Sequence, residues 1–205
     1  MTKQYDAAYF NRWYRDPALR TQAIGGTARL ARKVAIAVST AEYHLERPIR
    51  SVLDIGCGEG AWRAPLLKLR PKLRYLGFDS SEYAITRFGA RRNLHRARFG
   101  DFRHLRPCPP VDLLVCSDVL HYLDPRELDL GLPALAELCG GVAFLETFAR
   151  EDGIDGDAHE FKQRPAQFYR QRFERIGLAP LGSHLWLSPG LHEGAAALEL
   201  PAQAP

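Results

Sequence analysis

Asp54, Gly56, Gly58 and Gly60 alternate along one short stretch, Asp-Ile-Gly-Cys-Gly-Glu-Gly. Glycine reaches φ > 0 freely and lets a ligand approach the backbone. Free N–H groups opening a following helix can meet a carboxylate or phosphate. Gly56-x-Gly58-x-x-Ala61 formally fits the dinucleotide pattern G-x-G-x-x-G/A. Asp54 argues for another ligand. A carboxylate ending a buried strand is costly unless partnered, and a pyrophosphate, already negative, needs no anion there. A ligand bearing a cation does. The bland alternative is an ordinary strand–turn–helix with a capping Asp.

The surrounding chain supplies elements to hold that turn. Val52, Leu53 and Ile55 predict a buried strand over Ser51–Ile55, and Ala61–Leu69 a helix in which Pro65 is tolerated near the first turn. Strands are expected at Leu73–Phe78, Ala97–Phe99, Val111–Cys116 and Val142–Glu146. Helices lie between them, one capped by Ser80 or Ser81 and one opened by Asp124-Pro125-Arg126-Glu127 as a capping box and closed by Gly140-Gly141. This alternation predicts a parallel sheet with helices on both faces. Upstream, Leu30, Val34, Ala37, Val38, Ala41 and Leu45 keep helical spacing, with Gly25-Gly26 as a break and Thr27 as a candidate N-cap. Tyr5, Tyr9, Phe10, Trp13 and Tyr14 crowd the first turns before Asp16-Pro17. They read either as a short helix docked on the core or as an aromatic lid over a ligand. Thr147–Gln163 reads as a long loop of the kind that covers binding sites. Arg164-Pro165 opens a helix that Gly177 ends. Leu178–Leu187 and Ala195–Leu200 read as a final hairpin turning at Ser188-Pro189-Gly190, before a frayed tail at 201–205. The chain divides into an N-terminal helical cap, residues 1–49, packed on a core of residues 50–200.

Composition bounds the rest. The 205 residues suffice for one domain, and 46% hydrophobic residues argue against disorder. A net charge of +4 does not imply nucleic acid. The N-terminus shows no apolar signal segment and no run is long enough for a membrane span. The four cysteines stand apart, without a CxxC pair, so neither a metal site nor a disulfide framework is expected. The expected compartment is the cytoplasm.

Asp54, Asp79, Asp101 and Ser117 all fall at the C-terminal ends of successive predicted strands, the edge where open α/β sheets bind ligands. With that register and the Asp-x-Gly-x-Gly-x-Gly turn, the chain resembles the class I (Rossmann-like) S-adenosylmethionine-dependent methyltransferases over about Arg50–Leu200, most closely the small single-domain bacterial type. The resemblance implies a three-layer fold with a mostly parallel seven-stranded sheet in the order 3-2-1-4-5-7-6, completed by the final hairpin. It implies S-adenosylmethionine as the methyl donor. Asp54, Gly56, Cys57 and Gly58 would hold its methionyl end, and Asp79, with Ser80 beside it, its ribose hydroxyls. Asp101 would receive the adenine amino group with Phe102 on the ring, and Ser117 and Asp118 would line the methionine portion. Trp13 is assigned to the cofactor side of the lid.

Methyl transfer from a sulfonium starts from an activated leaving group, so positioning and an acceptor lone pair can suffice. A general base helps only a protonated acceptor, and His121 is the candidate, with a purely loop-orienting role as its alternative. Tyr9, Tyr14, Tyr122, Glu146 and His159 are candidates for lining the acceptor. The segment after the fourth strand, Ser117-Asp118-Val119-Leu120, lacks the Pro-Pro-Tyr of amino-methylating nucleic-acid enzymes. Arg87, Arg91, Arg92, Arg96, Arg98, Arg103 and Arg106 could contact RNA phosphates, but without interleaved aromatics a solvated face is favoured. The reading is therefore a small-molecule methyltransferase. Its rivals are an NAD-dependent oxidoreductase and a non-catalytic module that binds S-adenosylmethionine or RNA.

Overall fold

A computed structural model describes residues 3–16, 19, 26–153 and 157–200. Expectations that fall on Pro17, Gly25, Asp155, Gly156 and 201–205 lie outside the described residues. Seven strands form one sheet: β1 (Ser51–Ile55), β2 (Arg74–Asp79), β3 (Leu94–Arg96), β4 (Val111–Ser117), β5 (Cys139–Glu146), β6 (Ala179–Gly182) and β7 (Leu185–Leu187). Their order is β3-β2-β1-β4-β5-β7-β6, parallel except for β7, which runs antiparallel to both β5 and β6. This is the expected fold class.

Alternation along the central strands divides the core into two layers. Val52, Leu113, Val115, Val142 and Phe144 face one cluster, shared with Val34, Ala37, Val38 and Ala41. Those four lie on α2 (Gly26–Leu45), which follows α1 (Ala7–Phe10). The intervening neighbours Leu53, Ile55, Leu114, Cys116, Ala143 and Leu145 face the other cluster. There they meet Leu128, Leu132, Leu135 and Leu138 of α5 (Pro125–Leu138) and Tyr169 and Phe173 of α6 (Ala166–Arg175). Between β1 and β3 lie α3 (Arg63–Leu69) and α4 (Glu82–Arg92). The apolar stripes read from the sequence are thus the buried faces.

Several local expectations change. The third strand starts at Leu94 rather than Ala97, because Asn93 adopts a left-handed conformation (φ 56°) that ends α4 and releases the chain at once into β3. As an edge strand β3 exposes His95 and Arg96, so it carries no apolar signature. Gly140 and Gly141 do not close α5 but lie inside β5, where a Cβ on Gly141 would stand 2.1 Å from the Asp112 carbonyl oxygen. Pro125 does open α5, yet Asp124 makes no capping bond and pairs with Lys162 at 3.1 Å instead. Thr27, expected as a cap, lies inside α2. The final hairpin fits entirely within 179–187, turning at Ser183 and His184, both at positive φ (50° and 66°). Ser188-Pro189-Gly190 opens a 3₁₀ segment, Pro189–Gly194, rather than a strand turn. Among the described residues no helix is long and apolar enough to cross a membrane, and no group of three or more His, Cys, Asp or Glu could hold a metal ion.

Candidate active site

The glycine turn is tied to β2 by two backbone bonds, Gly56 N and Cys57 N to the Phe78 carbonyl at 2.7 and 3.0 Å. Gly56, Gly58 and Gly60 all have positive φ (75°, 53° and 77°). Gly56 also has no room for a side chain, since its Cβ would stand 2.3 Å from a Val119 methyl. Asp54, 1% exposed, ends β1 beneath this turn, and the Tyr75 hydroxyl donates to its Oδ2 at 2.6 Å. Burial, with the Asp79 charge adding to it, pushes the Asp54 carboxyl up to about 7 against the Tyr75 hydrogen bond. Asp79 ends β2 and accepts from Gly58 N at 2.7 Å and Ser81 N at 2.8 Å. Burial also raises its pKa. With the Ser80 N–H also bound to it, the Asp79 carboxylate holds three backbone donors and keeps capacity for a further one. Ser81, not Ser80, caps α4 through its bond from Ala84 N, while Ser80 stays exposed.

The remaining sequence candidates fall out unevenly. Asp101 is exposed and spends Oδ2 on the Arg98 N–H at 2.8 Å, capping the 3₁₀ segment Phe99–Arg103. Phe102 does not offer its ring to a ligand. It is fully buried and edge-on to Phe78 at 5.4 Å, because the 3₁₀ turn points it into the lower core. Ser117 donates to Glu146 Oε2 at 2.6 Å. Glu146, 1% exposed, is closed off by Lys33 Nζ at 2.5 Å. Burial raises the Glu146 pKa, but the Lys33 charge and the hydrogen bonds from Lys33 and Ser117 outweigh it, and the net pKa is lowered. Asp118 sits at φ 63°, its N–H held by the Glu146 carbonyl at 2.9 Å.

His121 is 1% exposed, and both its ring nitrogens are engaged. Phe148 N donates to Nδ1 at 3.3 Å, so the ring proton belongs on Nε2, which faces Asp118 Oδ1 at 3.2 Å. The rings of Tyr122, Phe148 and Phe161 enclose it at 4.3–5.4 Å. In this arrangement His121 braces the left-handed turn at Asp118.

The N-terminal segment closes over this edge. Ser81 Oγ donates to the Tyr5 carbonyl at 2.5 Å, Arg15 pairs with Glu59 at 2.7 Å, and Phe10 stacks on Tyr83 at 5.5 Å. Trp13 is buried, with Arg12 over its ring at 5.3 Å. Tyr14, expected on the acceptor, lies on the glycine turn, its hydroxyl 2.5 Å from where a Gly58 Cβ would stand. Tyr9 packs edge-on against both Tyr5 and Phe10. His159 is exposed and offers its carbonyl to Lys3 Nζ at 3.4 Å.

Comparison with known proteins bears on this edge directly. A family model described as "Methyltransferase domain" matches residues 53–140, which run from β1 through the glycine turn and β4 into β5. Trans-aconitate 2-methyltransferase of Methylobacterium nodulans is 34% identical over 130 residues, 62% of this chain and 47% of that protein. The protein of the same name from Deinococcus radiodurans is 38% identical over 134 residues, 61% of this chain and 50% of that protein. Residues 53–140 therefore match a methyltransferase domain, and the sheet has the fold of S-adenosylmethionine-dependent methyltransferases. The chain spans about half the length of the curated relatives it matches. Streptomyces venezuelae DesVI shares this fold at a TM-score of 0.62 and 16% identity, covering 80% of this chain and 94% of that one.

Within this methyltransferase frame, sequence reasoning missed Lys3, Lys33 and Tyr75. Lys33 had a signal: it lies three residues after Leu30, a charge on an otherwise apolar helical stripe. Three of the seven guanidinium groups of the basic cluster have hydrogen-bond or ion-pair partners within the chain. Arg92 reaches the Glu59 carbonyl, Arg96 pairs with Glu82 and Arg106 with Glu137.

Proposed function

We propose that this chain transfers a methyl group from S-adenosylmethionine to a small molecule. The acceptor lies between the N-terminal aromatic segment, the 147–163 segment and the C-terminal edge of β4 and β5. The observation that carries the reading is the Gly56–Gly60 turn at positive φ with the Asp79 carboxylate folded onto Gly58 N. Asp54, Gly56, Cys57 and Gly58 would hold the methionyl end, Asp79 the ribose hydroxyls, and Asp101 Oδ1 the adenine amino group. Ser117 and Asp118 line the methionine portion. The cofactor, when bound, supplies an electrophilic methyl on an already activated leaving group, so the chain has only to orient the acceptor and exclude water. With His121 engaged at both nitrogens, the reaction proceeds without an imidazole base.

Two arms test this reading. Calorimetric titration with S-adenosylhomocysteine should show micromolar binding, with NAD inert in parallel. Asp79→Ala should weaken that binding by about 10–100-fold, the worth of one or two charge-assisted hydrogen bonds. Unchanged affinity removes the ribose assignment, and binding of NAD alone moves the chain to the oxidoreductase class. The name of the relatives makes trans-aconitate the first acceptor to assay with labelled donor.

A further inference from the structure

The side chain of Lys3 is 4% exposed, unusual for a lysine so near a chain terminus. Its ammonium lies 3.4 Å from the centroid of Tyr122, 5.3 Å from that of Tyr5 and 5.4 Å from that of Tyr9. Asp157 Oδ2 closes the box at 2.6 Å, and the His159 carbonyl accepts at 3.4 Å. The box is itself braced. Tyr122 donates its hydroxyl to the Asp157 carbonyl at 2.7 Å, and Lys3 N donates to Glu160 Oε1 at 2.9 Å. Three aromatic faces around a desolvated carboxylate are the arrangement that recognises organic ammonium groups. Burial lowers the Lys3 pKa, with the Asp157 hydrogen bond and the charges of Asp157, Asp118 and Glu160 opposing it. Asp157 and Glu160 thus hold Lys3 directly, which selects for a cation and against a polyanion, trans-aconitate included, so that turnover of trans-aconitate would overturn this reading of the box.

The location is informative. Tyr122 and Asp118 belong to the segment that follows β4, on the same edge as the glycine turn but on the opposite side of β1 from Asp79. Lys3, Tyr5 and Tyr9 belong to the segment whose Tyr14 stands over Gly58.

We propose that this box is the recognition site for an organic ammonium on the acceptor substrate, and that Lys3 is its intramolecular stand-in while the site is empty. This rests on the methyltransferase reading above and deepens it. A protonated ammonium has no lone pair, so the box holds one end of the acceptor while a second group on the same molecule takes the methyl.

The test uses the full chain carrying Lys3→Ala and n-butylammonium chloride as the probe, with sodium butyrate and sodium chloride at equal ionic strength. Thermal unfolding is the readout. At several times its Kd the amine should raise the Tm of Lys3→Ala by about 3 °C. It should leave the parent chain unmoved and lose its effect in Lys3→Ala/Tyr122→Ala. The shift should persist when Lys3→Ala is saturated with S-adenosylhomocysteine. No amine-specific shift, an equal shift in the parent, or an equal shift with butyrate overturns the proposal. A shift abolished by S-adenosylhomocysteine assigns the box to the cofactor's own ammonium and overturns it too. Lys3→Met repeats the series should the alanine variant prove unstable. S-adenosylhomocysteine binding by the parent separates the two levels: if it binds while the amine fails, only the box is lost.

Discussion

The Tyr14 hydroxyl stands 2.5 Å from the point where a Cβ would project from Gly58, and Phe10 follows at 3.3 Å. The N-terminal segment is therefore fitted to a bare backbone. Gly58→Ala would force an L-residue to φ 53°, costing roughly 1–2 kcal/mol, and would also push Tyr14 off the turn. We expect lower stability in urea and at least a tenfold loss of S-adenosylhomocysteine affinity. Adding Tyr14→Ala should recover the part of the stability lost to crowding but not the part lost to φ. Full recovery would mean that the backbone at Gly58 is not strained by a side chain.

Asp54 sets a pH dependence with an unusual sign. Its folded pKa of about 7 lies above the unfolded value of roughly 3.9. Between these values the folded chain binds the extra proton, so this group's contribution to stability is complete below the unfolded pKa and lost as pH rises through the folded one. Ligand binding runs the other way, because the ammonium of S-adenosylhomocysteine is complementary to the carboxylate and not to the acid. Affinity should rise from pH 5.5 to about 7.5 and then level. Asp54→Asn should remove most of that rise, leaving a remainder from Asp79, whose pKa is also raised. Calorimetry across the range measures both, and a flat profile in the parent would contradict the assignment.

What the sequence made legible follows from what each signal reports. The Asp54–Gly60 turn, the carboxylate ending β2 and the apolar stripes of α2, α5 and α6 are local patterns, and they appear where the spacing places them. β3 was misplaced because an edge strand with one buried residue has no alternation to read. Gly141 looked like a helix end because a glycine needed for close strand approach and one needed for a left-handed cap are the same letter. Phe102 was given a ligand because sequence proximity to Asp101 says nothing about which way a 3₁₀ turn points its neighbour. The box around Lys3 was invisible for a different reason. It joins residues about 120 and 155 positions apart, and no single segment carries it.

His121 should behave as a positioning residue. Its ring is buried against Tyr122, Phe148 and Phe161 and holds Asp118 and the Phe148 backbone. His121→Ala should cost about 2–4 kcal/mol of stability, in line with removing a buried ring. In turnover with labelled methyl donor, His121→Gln should lower the rate while keeping the shape of the pH profile. Loss of the acidic limb in that variant would restore the base role.

Lys33 and Glu146 form a buried ion pair at the C-terminal end of β5. Nζ and Oε1 are 2.5 Å apart, and the Glu146 side chain is 2% exposed. Lys33→Met would leave Glu146 desolvated with only the Ser117 hydroxyl, and removing one partner of such a pair costs about 3–5 kcal/mol. The double variant Lys33→Met/Glu146→Gln removes both charges and should regain most of that loss. The pH dependence separates charge from packing. In the parent, Glu146 has a lowered pKa, so its contribution is present above the unfolded value of roughly 4.3 and is lost as pH falls through the folded one. In Lys33→Met the sign reverses: with the Lys33 charge and hydrogen bond gone, burial outweighs what Ser117 and His184 still supply, the Glu146 pKa rises, and the variant should be most damaged at pH 8 and partly restored at pH 5. Urea unfolding of the four chains at both pH values reads the cycle. If Lys33→Met is equally destabilised at pH 5 and pH 8, its cost is one of packing, and Glu146 does not depend on Lys33 for its charge.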